Sequence, residues 1–186
     1  IPPGRESRTH ALMGRFGNVF LVNGQRGYRL TARRGEVVRF YLTNASNTRT
    51  LNLSFPGAHV KVVAADAGPL QQEATVESVV IAPAERYVVH VRFDRPGRVA
   101  IVNQVQALDH LFARFFPEVD TLGMVDVGPE RVGRDFGNGF AGLKRDTAAT
   151  RALSGYQSYL MQPPAKTLLL TLETQGLPAV TEGLVQ

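Results

Sequence analysis

Residues 20–70, FLVNGQRGYRLTARRGEVVRFYLTNASNTRTLNLSFPGAHVKVVAADAGPL, with residues 76–93, VESVVIAPAERYVVHVRF, decide the fold. Val38, Phe40 and Leu42 share one phase while Arg39 takes the other, and Leu51, Leu53 and Phe55 alternate with Asn52 and Ser54. Tyr87, Val89, Val91 and Phe93 point one way, His90 and Arg92 the opposite way. A period of two residues marks a half-buried strand. Turn chemistry punctuates these runs at Asn23-Gly24, Arg34-Gly35, Pro56-Gly57, Asp66-Ala67-Gly68 and Asp94 to Gly97. Short strands parted by turns predict an all-β sandwich with little helix.

Outward from that stretch, Val19–Val22, Tyr28–Ala32, His59–Ala65, Val99–Val102 and Leu122–Val127 read as further strands. No apolar run with a helical period exceeds about two turns. Ala107–Phe116 (ALDHLFARFF) is the best candidate for one short helix. Residues 1–17 read as an extended lead-in, 18–127 as the sandwich, and 128–166 as a connector with a helical turn near Thr147 to Leu153. Thr167–Glu173 is an isolated strong strand, so 167–186 reads as the start of a further, truncated domain.

Composition narrows the function classes. The chain has 186 residues, no cysteine and a net charge of +5. Its arginines are scattered, and Arg33-Arg34 is the one adjacent pair. A nucleic-acid surface clusters its cations and interleaves aromatics, so a solvated arginine-biased surface is expected and no nucleic-acid partner. No run is long and apolar enough to span a bilayer. Ile1 opens without an initiator Met or a signal sequence, so the chain reads as part of something longer or a processed product. The segment Gly133 to Gly142 lacks a phosphate-loop pattern.

The order of motifs resembles the middle cupredoxin-type domain of the multicopper oxidase family. Gly17–Gly24 is similar to the strand opening that domain's ordered core, and Gly35–Ser46 to its central hairpin strand and turn. Ala65–Leu70 resembles the family's Asp-Gly-Gly-type turn, with Ala67 where the first glycine is usual, and Pro83-Ala84-Glu85-Arg86-Tyr87 resembles the Pro-x-Glu-Arg approach to the next strand. Lys166–Gly176 resembles the opening strand of the family's third, copper-bearing domain. The resemblance implies a cupredoxin-like Greek-key sandwich in a periplasmic or secreted protein. It also implies flanking cupredoxin domains as partners and copper in those domains.

Copper in this chain is not expected. A type 1 site takes two imidazoles and a thiolate, and there is no cysteine. A trinuclear cluster takes His-x-His pairs, whereas His10, His59, His90 and His110 all lie far apart in sequence. His59 reads as a turn or packing residue, His90 as a surface residue, and His110 as structural beside Asp109; His10 gives no signal. The candidate residues are structural instead. Asp66 or Glu85 is expected to pair with Arg86 or Arg49 to pin adjoining loops, and Asn44 and Asn47 to bond turn amides.

Two functions follow from the resemblance. One is a non-catalytic, copper-free middle domain of a laccase-like oxidase whose parent couples substrate oxidation to reduction of dioxygen to water. The other is a copper-free periplasmic relative acting in binding or assembly. A self-contained β-sandwich recognition module is a third reading. An incomplete sandwich leaves a sheet edge, so self-association through that edge is also expected.

Overall fold

In the computed structural model, residues 17, 19–66, 68–109 and 114–169 are described. Among these described residues nine strands form two sheets: β1 (Tyr28–Arg34), β2 (Glu36–Thr43), β3 (Leu51–Ser54), β4 (His59–Ala65), β5 (Gly68–Val76), β6 (Ser78–Ile81), β7 (Arg86–Phe93), β8 (Gly97–Asp109) and β9 (Arg114–Arg131). One sheet has the order β1-β9-β8-β3-β6 and the other β2-β7-β4-β5. Only β4–β5 and β8–β9 are consecutive strands paired within a sheet. Every other connection passes between the sheets, which is how one chain encloses a core from both sides. The fold is all-β and cupredoxin-like.

The core is the inward phase of both layers. Leu53, Ile81, Val99, Ile101 and Val125 from the first sheet meet Val60, Val62, Val89, Val91 and Phe93 from the second. The rings of Phe40 and Phe55 lie 5.1 Å apart, centroid to centroid, and close one side of it. The alternation read in Val37–Leu42 and Tyr87–Phe93 is an in-register antiparallel pair, with Phe40 opposite Val89 and Val38 opposite Val91.

Strand β9 carries a bulge that sequence periodicity does not reveal. Ile101 pairs with Gly123 and Val102 with Thr121, so Leu122 is the extra residue. Before it the even positions Glu118 and Asp120 turn toward the protein; after it Val125 and Val127 do. A bulge inserts one residue and so exchanges the two faces of a strand. Gly123 then admits β1 alongside: a Cβ there would lie 2.7 Å from the Tyr28 carbonyl oxygen.

Several expectations are corrected. Of the expected helix Ala107–Phe116, Ala107 to Asp109 instead continue β8 and Arg114 to Phe116 begin β9, paired as Ala107 with Phe116 and Asp109 with Arg114; residues 110–113 lie outside the described residues. The β8–β9 ladder supplies cross-strand hydrogen bonds, and these outweigh a short helix-like apolar spacing. Val19–Val22 forms no strand, only a bridge between Val22 and Gln25. Thr167, Leu168 and Leu169 lie in no strand, and the remainder of the expected strand Thr167–Glu173 falls outside the described residues.

Among the described residues the helices follow the sandwich: α1 (Gly137–Ala141), α2 (Thr147–Ser154) and α3 (Gln157–Leu160). The helical turn near Thr147 to Leu153 is α2, started by Asp146, whose carboxylate accepts the Ala149 amide at 2.9 Å. Among the described residues no helix is long and apolar enough to cross a membrane.

Candidate functional site

The five residues singled out in sequence lie around one end of the sandwich, where β2 and β4 finish and β7 begins. The reason is register: Thr43 faces Arg86 and Ala65 faces Tyr87, so the residues just beyond these pairs become neighbours. Asn44 is 2% exposed. Its amide nitrogen donates to the carbonyls of Arg49 (2.7 Å) and Ile81 (2.8 Å), and its Oδ1 accepts from the Ser46 amide (3.0 Å) and hydroxyl (2.6 Å). Its backbone is held as well, donating to Glu85 O and accepting from Ala84 N. One side chain thus ties three segments of chain and satisfies the polar groups that loops would otherwise bury.

Glu85 does not pair with either arginine. Its carboxylate accepts the Ala82 amide at 2.7 Å, while its own amide donates to Ala82 O. Between them Pro83 and Ala84 form the turn, and Ala84 sits at φ 69°, a left-handed conformation that costs a non-glycine residue about 1–2 kcal/mol. Asp66 accepts both the Arg86 amide (3.0 Å) and its Nε (2.7 Å), bracing the end of β4 against the start of β7. Both side chains are well exposed, so this pair orients more than it stabilises. Arg49 reaches Glu118 at 2.8 Å and Gly17 O at 3.1 Å, and its guanidinium lies 4.9 Å from the Phe20 ring centroid. Asn47 appears in none of these hydrogen bonds among the described residues.

A second cluster, not expected from sequence, lies on the outer face of the four-stranded sheet. Arg39, His90, Lys61 and Thr75 form one row across β2, β7, β4 and β5. Arg39 Nε donates to His90 Nε2 at 2.9 Å, which requires that nitrogen to be unprotonated. Burial, then the charges of Arg39 and Lys61, lower the His90 pKa below its ordinary value of 6.5. His90 is therefore a half-buried acceptor rather than a freely solvated surface residue. Lys61 is 2% exposed, with its ammonium 2.8 Å from Glu73 and 3.1 Å from Gly142 O, under the Phe140 ring. Burial pushes the Glu73 carboxyl up, but bonds from Lys61 and the Lys144 amide outweigh it and leave the pKa below 4.5.

His59 is exposed at the start of β4, with Nε2 3.3 Å from Asp94. His10 and His110 fall outside the described residues, as does Ala67 of the Asp66 turn. Among the described residues no three His, Cys, Asp or Glu side chains gather in a metal-holding group. The donors present do not fit copper of the type 1 kind, since the chain offers no thiolate at all. What the two clusters can do chemically is fix loops and a covering segment.

A family model described as multicopper oxidase matches residues 5–115. The chain belongs to the multicopper oxidase family. It is 40% identical over 81 residues to multicopper oxidase LPR2 of Arabidopsis thaliana, a match covering 43% of this chain and 14% of that protein. The multicopper oxidase LPR1 homolog 3 of Oryza sativa subsp. japonica is 38% identical over 79 residues, 42% of this chain and 15% of its own length. Among solved structures, a multicopper oxidase from Campylobacter jejuni, described as a metallo-oxidase, superposes with a TM-score of 0.56. It is 26% identical, and the match covers 66% of this chain and 26% of that one. McoA multicopper oxidase from the hyperthermophile Aquifex aeolicus has a TM-score of 0.55 at 20% identity, covering 66% and 27%, which speaks to fold alone. The chain thus matches a minor part of the length of these multicopper oxidases.

Proposed function

We propose that this chain is the copper-free middle cupredoxin domain of a larger multicopper oxidase. In this reading it holds the copper-bearing neighbours in register and carries no electron itself. The observation that supports it most is the family match over residues 5–115 in a chain with no cysteine and no His-x-His pair. Asn44, Arg49, Asp66, Glu85 and Arg86 then act as structural ties at one end of the sandwich, while residues 128–166 lead toward the following domain. By family likeness the parent oxidises its substrate with dioxygen as electron acceptor, in the periplasm or outside the cell.

The test is metal analysis of the purified chain after incubation with copper and dialysis, run beside a phenol or dye oxidation assay. Substoichiometric copper and no turnover are expected. One tightly held copper per chain with turnover would refute the reading. The coding sequence on either side is the second check, where His-x-His and His-Cys-His motifs are expected. Degenerate positions there would favour a copper-free periplasmic binding or assembly protein.

A further inference from the structure

Three arginines at strand ends surround a cleft. Arg34 closes β1, Arg92 is next to last in β7, and Arg131 closes β9; with Gly35 and Asp94 they line a cavity of about 260 Å³. The ladder between β1 and β9 brings two of them together. It breaks register between Arg33 and Arg34, so Arg33 pairs with Gly128 but Arg34 with Arg131. Neighbouring strands lie about 4.8 Å apart, and like charges on paired positions repel unless an anion intervenes.

The surrounding carboxylates balance this charge only in part. Among the described residues the Arg34 side chain has no hydrogen-bond or ion-pair partner. Arg131 reaches only Asp135, at 4.0 Å, and that carboxylate also accepts the Gly137 amide at 2.8 Å. Asp94 is shared by Arg92 Nε at 2.9 Å and His59 Nε2 at 3.3 Å. Even so, Arg92 Nε is buried and donates no aligned hydrogen bond. The terminal nitrogens of Arg92 lie beside Gly137, where a Cβ would come within 3.1 and 3.3 Å of them, so a glycine there leaves the guanidinium room. Three cations thus meet two carboxylates that are both already engaged.

We propose that this cleft binds a tetrahedral oxyanion of the sulfate class, held by Arg34, Arg92 and Arg131. Guanidinium forks match oxyanions in geometry as well as charge. Here the forks come from three separate strand ends. Four oxygens accept from several sides, whereas one fork already satisfies a planar carboxylate. The cavity is smaller than the ~300–1,000 Å³ that drug-sized ligands occupy, which suits a small ion. Because β9 leads straight into the connector, the bound anion also fixes where that connector leaves the sandwich.

The experiment titrates sodium sulfate into the chain while sodium chloride is lowered to hold ionic strength constant. The side-chain Nε–H signals of Arg34, Arg92 and Arg131 and the Gly35 amide are followed by NMR. They should shift along one saturating curve, and the thermal midpoint should rise with it. Arg34→Gln/Arg131→Gln, at two exposed positions, should weaken sulfate binding at least ~10-fold. Arg26→Gln, which removes a charge just before the start of β1, should leave it unchanged. Shifts that never saturate, or equal affinity in the double variant, would overturn the site. An equal loss in Arg26→Gln would overturn it too, since net charge alone would then explain the binding. Malonate binding more tightly than sulfate would overturn the tetrahedral assignment.

Discussion

The Lys61 ammonium and the Glu73 carboxylate lie 2.8 Å apart, with 2% and 11% of their side chains exposed. Removing one partner leaves the other charge buried without compensation, which costs far more than the pair contributes when intact. Lys61→Ala is therefore expected to lower the unfolding free energy by about 3–5 kcal/mol in urea titration. Lys61→Met/Glu73→Leu should recover most of that loss. An equal loss in both variants would count against charge burial as the cause.

Stability should fall on mild acidification because of His90. Folding lowers its pKa, so between the folded value and 6.5 the unfolded chain binds the extra proton. Its contribution is complete above 6.5 and is lost as pH falls through the folded value. Protonation also turns Nε2 into a donor facing the Arg39 guanidinium. His90→Gln, which can still accept from Arg39, should flatten the stability profile below pH 6.5, and an unchanged slope would contradict this. The Glu73 pKa is also lowered, so a second loss begins below about 4.5 and should vanish in Glu73→Gln.

Asn44→Ala strands the Ile81 carbonyl and the Ser46 amide, while the Ser46 hydroxyl can still donate to Arg49 O. A cost of about 2–4 kcal/mol is expected, read as a lower urea midpoint with an unchanged slope. Asn44→Asp should be as harmful or worse, since it places a carboxylate oxygen against both carbonyls.

Gly123→Ala drives a methyl group to 2.7 Å from the Tyr28 carbonyl oxygen, a backbone atom with no rotamer to escape into. Displacement of β1 from β9 is expected, with faster amide exchange along Tyr28–Arg34 and about 2 kcal/mol or more of lost stability. Gly133→Ala, with nothing within 4 Å of the new methyl, is the near-neutral control.

The strands with one apolar phase were legible because side-chain alternation is local: β2, β3 and β7 follow from Val38, Phe40, Leu42, Leu53 and Tyr87 to Phe93. The loop ties were partly legible. Asp66 and Arg86 meet as anticipated in kind, whereas Glu85 turns back on Ala82 and Arg49 goes to Glu118. Those choices depend on which strand ends lie side by side, and no local pattern encodes that. Ala107–Phe116 misled because Leu, Phe and Ala at helix-like spacing do not reveal a partner strand.

The sequence by itself determined the layered β architecture, the family, and the lack of any thiolate for copper, because alternation, turn residues and composition are properties of the string. Tertiary structure alone decided the status of Lys61 and His90. Each takes the outward phase of its strand, where charged and polar side chains are ordinarily solvated. Lys61 is buried only because a segment more than seventy residues downstream folds back over the sheet, and His90 accepts a hydrogen bond from Arg39 only because β2 and β7 pair in one register.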